Sequence, residues 1–232
     1  MMDRRNDPLH TFILELTGKD RPRVLFLGTA TGDDPAYILS FYETYNADRC
    51  MPFHLRLFHR SVKDLRSFVL GFDVIHVGGG NTANMLDVWH RQGMDAILRE
   101  AWEGGAVMTG GSAGAICWFA GGTTDSYGPD LAVLPEGLGL APGSLCPHYD
   151  AEDQRQPLFH KAVLSGELPD GYGVDNLASV HFHGAEYVEA VGSVPGARVV
   201  RVSASGGQIT ETELPVRVLT GAADASYTGP SA

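Results

Sequence analysis

The chain has 232 residues, with 17 Lys and Arg against 28 Asp and Glu, and a formal net charge of −11 at pH 7. That charge repels phosphate backbones and anionic lipid heads, which sets nucleic acid and membrane surfaces aside as partners. With 44% hydrophobic and 19% charged residues, the composition suits one α/β domain with a full core. No N-terminal apolar run has signal-peptide length, and no run approaches the ~20 apolar residues of a membrane span. The cysteines Cys50, Cys117 and Cys146 share no metal or redox spacing, so they read as small buried hydrophobes in a cytoplasmic protein without metal or cofactor. Residues 1–219 read as a single domain, and the Gly/Ala/Ser/Thr-rich 220–232 as a flexible tail.

Arg23-Val24-Leu25-Phe26-Leu27 is a continuous apolar run, the pattern of a central parallel strand. The polar turn 29–35 leads into Tyr37, Ile38, Phe41, Tyr42 and Tyr45, which recur at helical spacing. Phe53, Leu55 and Leu57 alternate with polar residues as a second strand, and Ser61 to Asp64 resembles a capping box before a helix with Val62, Leu65, Phe68 and Val69. Asp73 to Val77 forms a third strand, in which His76 is expected to help fill the core, and it runs into Gly78-Gly79-Gly80-Asn81-Thr82. Two helices follow, the second ending at Gly104-Gly105. A fourth strand then enters Gly110-Gly111-Ser112-Ala113-Gly114.

Strands alternating with helices predict a doubly wound, mostly parallel sheet, whose ligand site lies beyond the carboxyl ends of the strands. The region from Gly121 to Gly143 reads as irregular loop. From Gly173 onward, short alternating stretches with a turn at Gly206-Gly207 predict a small antiparallel extension of the same domain.

Gly110-Gly111-Ser112-Ala113-Gly114 fits G-x-S-x-G, a strand-to-helix elbow that projects a serine hydroxyl from the sheet edge where only tiny neighbours fit. A serine nucleophile needs a base, and a third group to orient that base. His148 is the candidate base, in Pro147-His148 after a glycine- and proline-rich loop. The developing oxyanion needs backbone N–H groups, which Ala113 and the glycines Gly79 and Gly80 can offer. His181 and His183 share one strand face but lack a third ligand with recognisable spacing. The glycine run 78–80 is no dinucleotide fingerprint, since it lacks G-x-G-x-x-G and follows the third strand.

Gly78-Gly79-Gly80-Asn81-Thr82 after a strand, with Gly110-Gly111-Ser112-Ala113-Gly114-Ala115 about thirty residues on, resembles the aspartyl dipeptidase (peptidase E) and cyanophycinase family of serine peptidases. The resemblance runs from Arg23 to about Phe182. It implies a fold like class I glutamine amidotransferases, with serine where those enzymes carry cysteine. It further implies Ser112 as nucleophile, His148 as base, and Asn81 and Thr82 in the substrate-binding loop. The family places a glutamate where this chain has Asn176, with Asp175 just before it. Asn176 can accept an imidazole N–H but supplies no charge; Asp175 and, more remotely, Asp125 are the carboxylates that could stand in. The implied substrate is a dipeptide or short peptide, with N-terminal aspartate as one candidate. Arg155 and Lys161 are cations placed to recognise it by position alone. A cyanophycinase-like β-aspartyl-arginine peptidase and a non-catalytic binding member of the fold stay open, as does monomer or homodimer.

Overall fold

The computed structural model describes residues 7–220; the expected tail, apart from Thr220, lies outside them. Helix α1 (Pro8–Glu15) is capped by Asp7, whose carboxylate accepts the Leu9 N–H at 3.0 Å. Then come β1 (Arg23–Leu27), a 3-10 turn (Thr29–Thr31), α2 (Pro35–Thr44), β2 (Met51–Leu55), α3 (Leu65–Val69), β3 (Val74–Val77), α4 (Thr82–Gln92), α5 (Met94–Glu103), β4 (Val107–Gly110) and the short α6 (Ala113–Ile116). The four strands form one parallel sheet in the order β2-β1-β3-β4. Val24 to Leu27 are wholly buried because helices cover both faces. Leu25 and Leu27 enter a core with Val69, Met85, Trp89 and Leu98, while Val24 and Phe26 enter the opposite one with Phe41 and Tyr45. That two-sided burial is the doubly wound arrangement the apolar run predicts.

The second half comprises β5 (Gly122–Thr124), β6 (Ala132–Leu134), β7 (Ser144–Pro147), α7 (Arg155–Ser165), β8 (Gly171–Val174), β9 (Ala178–His183), β10 (Glu186–Gly192), β11 (Val199–Ser205), β12 (Gln208–Leu214) and β13 (Val216–Val218). Here the architecture departs from a single sheet with a small extension. A six-stranded mixed sheet runs β12-β11-β8-β7-β5-β6, and a three-stranded one runs β13-β10-β9. The expected loop 121–143 contains two of these strands. Gly122 is there for close strand approach, since a Cβ on it would lie 2.1 Å from the Leu145 carbonyl oxygen. The β11–β12 hairpin does turn at Gly206 and Gly207, both with positive φ.

Two boundaries move. The second strand pairs Met51–Leu55 with β1, opposing Phe53 to Leu25, and ends before Leu57. α3 starts late because Asp64, not Ser61, is its cap, accepting the Ser67 N–H at 3.0 Å. His76 does pack in the core, ringed by Phe26, Phe41, Tyr45 and His10. His181 lies 3.6 Å from Glu189, which Arg217 also holds. Among the described residues no group of three or more His, Cys, Asp or Glu is arranged to hold a metal, and no helix is long and apolar enough to cross a membrane.

Candidate active site

β4 ends at Gly110, and Ser112 turns the chain with φ 54° and ψ −119°, a backbone region that costs a non-glycine residue energy. The flanking glycines are forced by packing. A Cβ at Gly110 or Gly114 would lie 2.6 or 2.1 Å from the Val77 carbonyl oxygen, where β3 ends. Ser112 is therefore lifted at the sheet edge against the loop that follows β3: a Cβ at Gly79 would fall 3.3 Å from Ser112 Cβ. Gly114 N–H bonds the Gly111 carbonyl. Ala113 N–H, at the first position of α6, makes no backbone bond among the described residues.

His148 stands just past the end of β7 and also has positive φ, 55°. Its Nδ1 lies 2.7 Å from Asn176 Oδ1. With the amide oxygen as acceptor, Nδ1 carries the ring proton and Nε2 keeps its lone pair. The two residues meet because β7 and β8 are parallel neighbours, with Pro147 opposite Val174. Tyr149 N–H bonds the Val174 carbonyl at 3.1 Å, and Asn176 N–H bonds Asp150 Oδ1 at 2.8 Å. Leu177, next to Asn176, has φ 64°. Three of the four non-glycine residues of positive φ among the described residues thus lie in or beside this constellation. Such strain persists only where packing and hydrogen bonds over-determine it.

Asp175 is not the partner of the histidine. Its Oδ2 accepts the N–H and Nε–H of Arg198 at 3.0 and 3.1 Å, and its side chain is buried. Asp125 reaches the cleft, but Asn176 already occupies His148 Nδ1.

Ser112 and His148 share a cleft of about 280 Å³ with Gly80, Asn81, Asp125, Glu152 and Arg155. No hydrogen bond joins Ser112 Oγ to His148 among the described residues, although both line the same cleft. Arg155 is only 3% exposed. Its Nε donates to Glu152 Oε2 at 2.8 Å and its Nη1 to the Thr123 carbonyl at 2.7 Å, so its charge is fixed at the cleft wall. Lys161 is exposed on α7 and does not line the cleft.

Two sequence candidates are committed elsewhere. Thr82 is buried, with its N–H on Ser126 Oγ at 2.9 Å, so it anchors α4 to the loop after β5. Gly79 N–H donates to Tyr37 Oη at 3.0 Å, which removes it from the free donors. Asn81 lines the cleft, yet its side chain caps α4 through the Asn84 N–H and donates to the Ser126 carbonyl, both at 2.8 Å. Cys117 is buried, and burial pushes its thiol pKa well up, so it offers no thiolate to compete with Ser112. Tyr37, Asp150 and Glu152 are the site neighbours that sequence reasoning passed over. Only Glu152 carried a local signal, three residues before Arg155.

Comparison with known proteins finds relatives among peptidases. The sequence model of the family described as "Peptidase family S51" matches residues 1–189. The uncharacterized peptidase YgaJ of Bacillus subtilis (strain 168) is 44% identical over 218 residues, covering 94% of each chain. A peptidase E of Shewanella amazonensis (strain ATCC BAA-1098 / SB2B) is 32% identical over 122 residues, 50% of this chain and 49% of that one. The crystal structure of a peptidase from an acI-B1 actinobacterium superposes with a TM-score of 0.64 at 19% identity, over 90% of this chain and 89% of that one, a likeness of fold.

Proposed function

This chain belongs to peptidase family S51, and from that premise we propose that it is a serine peptidase hydrolysing dipeptides or short peptides with a free N-terminus, with preference for N-terminal aspartate. The observation that carries the reading is the 2.7 Å bond from His148 to Asn176 in the cleft that also holds the strained Ser112.

Ser112 Oγ attacks the scissile carbonyl while His148 Nε2 takes its proton. The oxyanion is held by the N–H groups of Ala113 and Gly80, both without a backbone partner among the described residues. Collapse breaks the C–N bond, and the imidazolium passes its proton to the departing amine. Water, deprotonated by the same imidazole, then cleaves the acyl-enzyme and restores Ser112. Asn176 holds the reactive tautomer through both steps.

The cleft walls support the substrate choice. Arg155 is paired through Nε with Glu152 and through Nη1 with Thr123, and its Nη2, which makes no hydrogen bond among the described residues, is a donor suited to an acidic side chain. Asp125 supplies a carboxylate suited to an α-ammonium group. The reading is tested by labelling with a serine-directed phosphonate, locating the adduct by mass spectrometry, and assaying a dipeptide panel. An adduct on Ser112 and fastest turnover of Asp-X are expected. Ser112→Ala should lower turnover by several orders of magnitude. A folded Ser112→Ala protein with near-normal turnover would overturn the assignment, and a preference for β-aspartyl-arginine would move the substrate to the cyanophycinase type.

A further inference from the structure

We infer that Tyr37 is a positioning residue of this reaction, its hydroxyl clamping the glycine loop so that the N–H of Gly80, and not that of Gly79, is offered to the oxyanion. The inference rests on the serine-peptidase reading above and adds to it the origin of the second oxyanion donor.

The backbone donors of the loop can be followed one by one. Gly78 N–H bonds the Leu27 carbonyl at 3.0 Å, Gly79 N–H bonds Tyr37 Oη at 3.0 Å, and Asn81 N–H bonds the Ala30 carbonyl at 2.8 Å. Gly80 N–H has no such partner among the described residues, and Gly80 lines the cleft beside Ser112. Three successive glycines leave their peptide planes free to rotate, so the donor direction must be set from outside. Gly80 itself cannot be stiffened by a side chain: its φ is 138°, and a Cβ would fall 2.4 Å from the Ala30 carbonyl oxygen.

Tyr37 is well placed to impose the direction. Its backbone N–H is held by the Asp34 cap at 3.1 Å, at the start of α2. Its ring packs edge-on against Phe26, centroids 5.3 Å apart. It also crosses Gly78, where a Cβ would lie 2.9 Å from the ring. The Gly79 position that the hydroxyl anchors packs against the Gly111 carbonyl and Ser112 Cβ, each 3.3 Å from where its Cβ would be. A swing of that segment would be felt at the nucleophile.

Tyr37→Phe keeps the ring and removes the acceptor. Removing one oxyanion donor outright costs ~10²–10³ in turnover; loosening one is expected to lower kcat about 10–100-fold with KM within about twofold. Affinity for a peptide aldehyde, whose serine adduct presents the oxyanion, should fall by the same factor. Affinity for a non-hydrolysable peptide should not. A purely structural tyrosine would move the melting temperature and leave these ratios alone. Unchanged kcat and aldehyde affinity in folded Tyr37→Phe, or a change confined to KM, would overturn the inference. If that variant does not fold, 3-fluorotyrosine at position 37, a weaker acceptor of the same shape, should give the same pattern with smaller factors. An inactive Ser112→Ala beside a fully active Tyr37→Phe removes this inference alone, whereas an active Ser112→Ala removes the serine-peptidase reading beneath it.

Discussion

Asn176 orients His148 with an amide where a carboxylate would both orient and stabilise the imidazolium. Asn176→Asp keeps the side-chain reach and adds that charge, which favours the protonated ring. A general base must be neutral, so the acidic limb of kcat/KM should move to higher pH while the plateau rises or holds; a limb that stays in place would argue against direct contact during turnover. Asn176→Ala should cost between about 10² and 10⁴ in kcat, the range seen when a base loses its orienting partner. Asp175→Ala should behave differently, because its carboxylate serves Arg198. It should destabilise by about 0.5–1.5 kcal/mol, the net worth of hydrogen bonds whose donors, on exposed Arg198, can turn to water, with turnover per folded molecule within a few-fold of normal. A dead but stable Asp175→Ala protein would reverse these roles. The sequence left the choice between the two open for a physical reason. Adjacent residues after a strand point to opposite sides, and the partner that claims Asp175 is Arg198, 23 residues downstream. The tight turns at Ser112 and His148 were legible because Gly110, Gly114 and Pro147 announce them locally. Gly79 was misread as a donor because the acceptor that takes its N–H, Tyr37, lies 42 residues upstream.

At the level of elements, β1 was legible because two-sided burial writes an uninterrupted apolar run into a strand, and β3 and β4 because each short run leads straight into a glycine turn. β5, β6 and β12 were not. Gly122–Thr124 and Ala132–Leu134 are three residues each, too short for any period to register. Gln208–Leu214 is largely exposed and polar, held by its pairing with β11. A tight element junction lies where the Ser112 turn crosses the end of β3. Gly114→Ala would drive a methyl group to 2.1 Å from the Val77 carbonyl oxygen, backbone against backbone, with no side chain able to yield. Destabilisation at or above the upper end of the ~1–3 kcal/mol typical of overpacking is expected, read as a lower urea midpoint, and any folded fraction should be slow because Ser112 is displaced. Gly111→Ala is the control, since a Cβ there meets nothing within 4 Å. Equal stability of the two variants would show that the junction yields more easily than its packing implies.

Across the whole molecule, buried histidines and a hydrogen-bonded carboxylate respond to acid in different ways. In the first half, burial, helped by nearby His10, lowers the His76 pKa from 6.5 to about 3. Its folded value lies below its unfolded one, so its contribution to stability is complete above pH 6.5 and drains away as the pH falls toward 3. His54 in the first half and His181 in the second are also shifted down, chiefly through burial, so their contributions begin to drain as the pH falls below 6.5. In the second half, Glu211 ties β12 to α7 and to the turn after β7 by accepting from Tyr149, His160 and Gln156. Burial alone would raise its pKa, but those hydrogen bonds outweigh it and hold the carboxyl below the ordinary 4.5. Its contribution is therefore complete above pH 4.5 and is lost only as the pH falls through the lower folded value. Urea midpoints between pH 7.5 and 3.5 should decline in two stages: the histidines act first, at up to about 1.4 kcal/mol per pH unit for each proton taken up on unfolding, and the carboxylate joins below. His76→Phe, with a ring suited to the same aromatic cage, should flatten the upper stage and leave the lower. Glu211→Gln should lower stability at neutral pH and flatten the lower stage only. A His76→Phe protein whose stability falls between pH 6.5 and 5 as steeply as the parent's would mean that its buried ring does not govern acid unfolding.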